Sequence, residues 1–256
     1  MTNIIIHGCN GTMGKVVTRV AMSDPDINIV AGIDKISDKV EKDFPVYQSL
    51  EECKVSADVI IDFSVHTAVP ALIESAEKRG IPVVIATTGL SEDNMNLIIE
   101  KSKNIPIFQS ANMSLGINVT GEMAKLAACV LGDKFDIEIV EKHHNQKVDA
   151  PSGTAYMLAD TINSMLNPKK EYTYGRHSKN DKRSKNEIGI HAIRGGTIVG
   201  EHSIIFAGQD EVIEIKHTAF SKQIFAIGAI QAAKFLIGKT PNLYNMDDLI
   251  ETGSLN

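Results

Sequence analysis

Residues 141–154 combine side chains that can transfer a proton with groups that can bind an anion. His143 and His144 are adjacent at the end of a predicted strand, so their imidazoles point to opposite sides and only one can face a reacting atom. Lys147 follows in the loop beyond the strand. These residue types predict general acid–base chemistry in a cationic setting that stabilises developing negative charge.

The same segment leads into a predicted helix start that favours anion binding. Pro151 precedes Ser152, Gly153 and Thr154, and the exposed amides and hydroxyls of such a start suit a carboxylate. Cationic groups clustered here, in a chain of formal net charge −6, indicate an anionic ligand. The alternative is a solvated strand end followed by a capped helix.

A metal site is a further alternative for the paired histidines. Two imidazoles and a nearby acid can bind zinc, but adjacent histidines cannot easily ligate one ion together. No HExxH pattern or cysteine set accompanies them. The sequence therefore predicts no metal.

A glycine turn lies near the start of the chain. Gly8, Gly11 and Gly14 follow a predicted strand and open a predicted helix. This context lets a pyrophosphate approach backbone amides at the positive end of the helix. Asn10 stands where the commoner GxGxxG pattern has its middle glycine, and we expect it to tolerate a positive φ.

Asp34 and Lys35 end the next predicted strand. Asp34 lies twenty residues after Gly14, where an acid usually accepts the ribose hydroxyls of a dinucleotide. Lys35 can neutralise a 2′-phosphate, so NADH and NADPH both remain open. The alternative is a tight glycine turn with a solvated Asp–Lys pair.

Two further segments end predicted strands of the same sheet. Residues 86–89 end one strand, and residues 110–114 follow the next, so both lie where doubly wound folds bind ligands. Because Thr, Ser and Asn also cap helices, simple strand–helix turns are the alternative.

Other polar residues are left outside the catalytic set. His191, Arg194, His202 and His217 lie on predicted strands, where a histidine is as often structural as functional. The basic run 176–185 is interpreted as a solvated loop that could close over an anionic ligand.

The elements that position these residues fall into two groups. Up to residue 109, short apolar strands alternate with helices, which indicates a parallel sheet covered on both faces. From residue 116 a long helix precedes a strand at 135–141, a helix from Ser152 and three successive strands, which predict a second domain with a mixed or antiparallel sheet. A final helix over 225–236 is expected to pack on the first domain.

Composition limits the classes of function. The chain of 256 residues is 43% hydrophobic, which suffices for sizeable cores, and its apolar runs are too short to cross a bilayer. Neither a signal peptide nor a disulfide framework is indicated, so the expected location is the cytoplasm and the three cysteines are expected to be buried thiols. The acidic balance argues against nucleic acid as a partner.

Over its whole length the chain resembles the 4-hydroxy-tetrahydrodipicolinate reductases, formerly dihydrodipicolinate reductases, of bacterial lysine and diaminopimelate biosynthesis. The most specific match is EKHHNQKVDAPSGTA at residues 141–155. Further matches lie at residues 8–14, 87–89, 111–118 and 195–202.

The resemblance implies NAD(P)H-dependent reduction of a small dicarboxylate, with His143 and Lys147 as acid–base residues. It implies substrate contacts at His144, Ser152, Gly153 and Thr154. The cofactor contacts that it implies are Gly8, Cys9, Asn10, Gly11, Thr12, Met13, Asp34, Lys35, Ala86, Thr87, Thr88, Ser110, Ala111, Asn112 and Met113.

The fold that the resemblance implies is α/β, with a Rossmann-type parallel sheet domain and an α+β domain. The first would comprise residues 1–112 and 221–256 and bind the dinucleotide. The second, residues 113–220, would bind substrate and assemble a homotetramer. Lys222 departs from the family, because arginine is expected there and a bidentate carboxylate contact would become a point contact.

Two other classes of function share part of this pattern. Another small-substrate dehydrogenase, such as an amino-acid dehydrogenase, would keep the glycine turn without Lys147 and the Ser-Gly-Thr helix start. A non-catalytic nucleotide sensor would keep the turn without the His–Lys pocket.

Overall fold

The chain forms two compact units in the computed structural model, which describes residues 1–35 and 42–251. One unit contains residues 1–115 and the segment from Lys222 onward, and the other contains residues 116–221. Residues 36–41 and 252–256, which fall in the predicted dinucleotide-binding domain, lie outside the described residues.

The first unit is built on a parallel sheet. Its strands, numbered in chain order, are β1 (Thr2–His7), β2 (Ile27–Ile33), β3 (Val46–Tyr47), β4 (Val59–Asp62), β5 (Val83–Ile85), β6 (Ile107–Gln109) and β12 (Leu243–Tyr244). Within the described residues they form seven strands in the order β12-β6-β5-β4-β1-β2-β3, and each neighbouring pair is parallel. The helices of this unit are α1 (Thr12–Met22), α2 (Val69–Arg79), α3 (Glu92–Lys101), α6 (Gln223–Leu236) and α7 (Met246–Glu251).

Apolar residues on both faces of the central strands explain this layering. Successive side chains of a strand point to opposite faces, and Ile4, Ile5 and Ile6 of β1 are all fully buried. Ile4 and Ile6 belong to the core that contains α1 and α6, whereas Ile5 belongs to the core that contains α2 and α3. The predicted α/β fold with a parallel sheet covered on both faces is thus confirmed.

The second unit contains a mixed sheet, as predicted. Its strands are β7 (Asp136–His143), β8 (Glu171–Tyr174), β9 (Glu187–Arg194), β10 (Gly200–Ala207) and β11 (Val212–Ala219), in the order β11-β10-β7-β9-β8. The β7 strand is antiparallel to β10 and parallel to β9. Its helices are α4 (Leu115–Leu131) and α5 (Gly153–Ser164), which share a core with the sheet.

The basic run 176–185 lies in the crossover between β8 and β9 and is mostly exposed to solvent, as predicted for a solvated loop. The β8 and β9 strands are adjacent and parallel, so the chain between them must return to the end at which both strands begin. Arg176 and Arg183 both bind the Glu138 carboxylate, at 2.6 and 2.8 Å. Although partial burial raises the pKa of Glu138, these arginines and His191 lower it to about 2.

The burial of the cysteines differs from the prediction at one position. Cys9 and Cys53 are buried, but Cys129 is exposed on α4, so the prediction of three buried thiols is wrong for it. No helix within the described ranges is long and apolar enough to cross a membrane.

Candidate active site

Backbone crowding explains the glycine turn between β1 and α1. Gly8 has a φ of +78°, and a Cβ there would lie 2.7 Å from the Phe63 carbonyl oxygen. A Cβ at Gly14 would lie 2.0 Å from the Gly8 carbonyl oxygen. Gly11 caps α1 without a side-chain hydrogen bond, so this helix start can offer its amides to an anion.

Asp34 is joined to this turn. Its Oδ2 accepts a hydrogen bond from the Asn10 amide at 2.9 Å, so the end of β2 and the turn are held together. The turn forms without the positive φ that Asn10 would tolerate, because no non-glycine residue of the described chain has one. Cys9 is fully buried, whereas Lys35 is exposed.

Asp62 joins three strand ends and was not predicted from the sequence as a site residue. It is fully buried at the end of β4, with Oδ1 2.7 Å from His7 Nδ1. The Thr87 hydroxyl donates to Oδ2 at 2.8 Å, so this predicted cofactor contact is already engaged, while Thr88 beside it is exposed. An acid that interrupts the apolar run 59–63 is the signal that could have found Asp62.

The segment after β6 is held by its own side chains. Ser110 Oγ donates to the Asn112 carbonyl at 2.9 Å, and the Ser114 amide donates to Asn112 Oδ1 at 2.9 Å. Asn112 and Met113 are buried, whereas Ala111 is exposed. Ala86, at the end of β5, is also buried. The exposed predicted cofactor contacts are Gly11, Thr12, Lys35, Thr88 and Ala111.

In the second unit, the His143 imidazole is bound to a buried carboxylate. His143 ends β7 and is 9% exposed, and its Nδ1 lies 2.7 Å from Glu141 Oε2. Burial lowers the pKa of His143, while Glu141 opposes that shift and the charges of Lys147 and Arg194 add to it. His144 follows the strand and is half-buried.

The Glu141 carboxylate also binds the residue that precedes α5. The Ser152 amide donates to Glu141 Oε1 at 2.9 Å. Ser152 Oγ accepts from the Ala155 amide and lies 3.0 Å from His202 Nε2. Ser152 is thus held on both sides, and Gly153 and Thr154 follow it as the first residues of α5, at the positive end of the helix.

Lys147 lies beside this helix end. Its Nζ is 2.8 Å from Asp149 Oδ1. Partial burial raises the pKa of Asp149, but Lys147 and the Gly153 amide lower it. Lys147, Asp149 and the start of α5 therefore form one cluster of charged and polar groups.

The structure brings Arg194 and His202 to the site, although neither was predicted there from the sequence. The Arg194 guanidinium donates twice to Glu141, at 2.7 Å each. The His202 ring stands edge-on to the His143 ring, with centroids 5.2 Å apart. Burial and the charge of His143 lower the pKa of His202 to about 4, so it is neutral at pH 7.

The described residues contain no group of three or more His, Cys, Asp or Glu side chains that could hold a metal ion. Lys222 is exposed at the start of α6.

Comparison with known proteins identifies the family. The model of the dihydrodipicolinate reductase N-terminus matches residues 2–113, and that of the C-terminus matches residues 116–250. The chain belongs to the dihydrodipicolinate reductase family. The family predicted from sequence is thereby confirmed, and membership makes the chain an oxidoreductase that uses a nicotinamide dinucleotide.

Curated relatives in this family match the full chain. A protein of Caldanaerobacter subterraneus subsp. tengcongensis is 60% identical over 253 residues, covering 99% of this chain and 100% of its own. One of Clostridium tetani is 53% identical over 252 residues, covering 98% of both chains. Both are named 4-hydroxy-tetrahydrodipicolinate reductase.

Solved structures agree with the fold of the dihydrodipicolinate reductase family. The dipicolinate-bound dihydrodipicolinate reductase of Paenisporosarcina sp. TG-14 matches with a TM-score of 0.81 at 24% identity, over 96% of this chain and 97% of that one. A probable dehydrogenase of Thermotoga maritima matches with a TM-score of 0.63 at 13% identity, over 96% and 92%.

Proposed function

We propose that the chain reduces 4-hydroxy-tetrahydrodipicolinate to tetrahydrodipicolinate with NADH or NADPH, in cytoplasmic diaminopimelate and lysine biosynthesis. The observation that carries the proposal is that the buried Glu141 carboxylate binds both His143 and the start of α5, beside which Lys147 pairs with Asp149. Family membership supplies the substrate, and relatives that match the full chain carry the name of this activity.

The first unit suits a dinucleotide. The space that a Cβ would fill at Gly8 and Gly14 is taken by backbone, which draws the turn tight against α1. Residues 8–13 would hold the pyrophosphate and Asp34 the ribose, with further contacts from residues 86–88 and 110–113. When bound, the reduced nicotinamide supplies the hydride. Lys35 is exposed beside Asp34, so we expect both NADH and NADPH to bind.

The start of α5 would bind the dicarboxylate. Gly153 and Thr154 lie at the positive end of a twelve-residue helix, and Lys147 adds a full charge beside them. His144 and Ser152 complete the predicted set, Ser152 by fixing the helix start through Glu141. A bound carboxylate would contact these groups at short range, whereas the negative net charge of the chain acts mostly over distances at which salt screens it.

His143 and Lys147 would supply the proton. Loss of water from the 4-hydroxy compound gives a conjugated cyclic imine, and hydride addition at C4 drives negative charge toward the ring nitrogen. A proton from the His143 imidazole or the Lys147 ammonium then neutralises that nitrogen. Cationic groups around the site stabilise the charge before the proton arrives.

We also propose that the chain forms a homotetramer through the second unit. Support comes from the edge strand β11, which pairs with β10 on one side and exposes Val212 and Ile213. Exposed apolar residues on a strand edge favour association with another chain. Light scattering of the purified protein would measure the mass of the assembly.

The decisive experiment mixes the purified protein with NADPH and the product of dihydrodipicolinate synthase, and follows absorbance of the reduced nicotinamide. We expect rapid loss of absorbance that depends on both reactants. An amino-acid dehydrogenase would instead reduce NAD⁺ or NADP⁺ in the presence of an amino acid. A nucleotide sensor would bind NADPH without consuming it, and no consumption would reject the proposal.

A further inference from the structure

We propose that Glu141 is a positioning residue that fixes the tautomer of His143 and ties this imidazole to the start of α5. The inference deepens the proposed function, since it rests on His143 as a proton donor. In this role the Glu141 side chain acts through His143 and does not contact the substrate.

Glu141 and His143 lie close together on β7. Glu141 and His143 are two residues apart, so their side chains share one face of the strand, and both are buried. Neighbouring strands place Arg194 opposite His143 and His202 opposite Glu141. A fully buried carboxylate thus lies among an imidazole, a guanidinium and a helix start.

Glu141 is satisfied by four donors. Arg194 contributes two bonds, one to each oxygen, in the fork geometry that binds carboxylates most strongly. The His143 Nδ1 contact is to Oε2 at 2.7 Å, and the Ser152 amide donates to Oε1 at 2.9 Å. Burial raises the pKa of Glu141, but the bonds from Arg194, His143 and Ser152 lower it overall.

An ionised carboxylate can only accept hydrogen bonds. The short contact with His143 therefore requires a proton on Nδ1, and Nε2 becomes the nitrogen that gains and loses a proton. Among the described residues Nε2 has no hydrogen-bond partner, and the one buried unpaired side-chain atom is Arg194 Nε. Nε2 is therefore open to a ligand.

The same carboxylate sets the position of the ring relative to the carboxylate-binding helix start. One oxygen holds His143, and the other holds the first amide before α5. Ser152 in turn caps α5 through the Ala155 amide. A substrate carboxylate bound at Gly153 and the proton at Nε2 would then keep a fixed separation, which is the advantage of a preorganised site.

Glu141→Gln tests this role, because the variant keeps the size of the side chain but replaces one acceptor by a donor. That donor would face Nδ1–H or Arg194, so the ring loses its fixed tautomer. We expect kcat to fall about 100-fold while KM for the dicarboxylate changes less than about threefold. We expect kcat to fall as the pH rises. In the variant this fall should begin at a lower pH than in the unaltered protein, because the imidazolium loses its anionic partner.

Nitrogen NMR of the unaltered protein, with ¹⁵N-labelled histidine and His143→Asn for assignment, tests the tautomer without Glu141→Gln. We expect His143 to carry its proton on Nδ1 at a pH above its titration. Glu77→Gln is the control variant, since Glu77 pairs with Lys101 on the surface of the first unit. It should leave kcat, the pH profile and the His143 signals unchanged.

Three results would overturn the inference. One is a neutral His143 protonated on Nε2, and another is Glu141→Gln with unaltered kcat. The third is a fall in kcat that leaves both the pH profile and the tautomer unchanged, since that indicates a merely structural role. If the unaltered protein consumes no NADPH, the proposed function fails, while the NMR result still decides whether Glu141 fixes the ring.

Discussion

The Lys147 ammonium lies 2.8 Å from the Asp149 carboxylate, beside the first amides of α5. Asp149 thus presents a carboxylate to the groups proposed to bind the carboxylate of the substrate. The two anions would compete for Lys147 and for the Gly153 amide, whose hydrogen bond helps to lower the pKa of Asp149.

Replacing Asp149 by asparagine should therefore strengthen substrate binding. The pair is half exposed, so the competing interaction is worth well under 1 kcal/mol, and we expect KM to fall about threefold. We expect kcat to stay nearly constant. Asp133→Asn is the matched control, since Asp133 is a similarly exposed partner of Lys170. A rise in KM for Asp149→Asn would show that Asp149 assists binding.

Removal of either proposed proton donor should reduce turnover with little effect on the cofactor. We expect His143→Ala and Lys147→Ala each to lower kcat by about 100-fold or more. Both residues belong to the second unit, so NADPH affinity, measured by fluorescence titration, should remain within about twofold. Near-normal turnover in both variants would contradict the assignment.

The sequence predicted the parts of the fold and site that depend on local order. A strand, a glycine turn, a helix and an acid twenty residues later are adjacent along the chain, and the parallel sheet follows from buried apolar strands. The segment from His143 to Thr154 is likewise continuous.

Contacts that depend on strand pairing could not be predicted in this way. Arg194 reaches Glu141 because β9 lies beside β7, and His202 reaches Ser152 because β10 lies on the other side. The register between these strands is set by long-range packing, so neither residue is distinguished by its local pattern. The ion pairs of Arg176 and Arg183 with Glu138 could not be predicted for the same reason, since they depend on the parallel pairing of β7, β9 and β8.

A methyl group at Gly200 should disturb the His143 ring without changing any charge. A Cβ at this position would lie 3.1 Å from His143 Nε2, which is tighter than an ordinary contact. We expect Gly200→Ala to lower kcat about tenfold, because displaced reacting groups lose alignment. Gly195→Ala is the control, since a Cβ there meets nothing within 4 Å and the backbone has no positive φ. Equal kcat values in the two variants would contradict the prediction.

Asp62→Asn should weaken the first unit and its cofactor site together. The amide cannot accept from both His7 and Thr87, so a buried donor is left without a partner, at a cost of about 1–3 kcal/mol. We expect a lower melting temperature and weaker NADPH binding by titration, since Asp62 joins the ends of β1, β4 and β5. Asp58→Asn, at the opposite end of β4, should retain NADPH affinity. Unchanged NADPH affinity in Asp62→Asn would show that Asp62 does not support cofactor binding.

The buried His202 should make the protein less stable in mild acid. Burial is the main cause that lowers its pKa from 6.5 to about 4, so the unfolded chain binds a proton that the folded chain excludes between these values. The free energy of unfolding is therefore unaffected by this residue above about pH 6.5 and falls as the pH drops toward 4. Between pH 7 and pH 5 the loss from His202 should be about 2 kcal/mol.

Urea unfolding of the second unit at pH 7 and pH 5 would measure this loss. His202→Asn should reduce the difference between the two pH values, whatever its effect on stability at pH 7. Glu138→Gln is the control, because the pKa of Glu138 is lowered from 4.5 to about 2. Its stabilising effect is fully present above pH 4.5 and is lost only as the pH falls toward 2, so this variant should leave the difference unchanged. If His202→Asn also left the difference unchanged, the acid sensitivity would have to come from His143 and His217, whose pKa values burial also lowers.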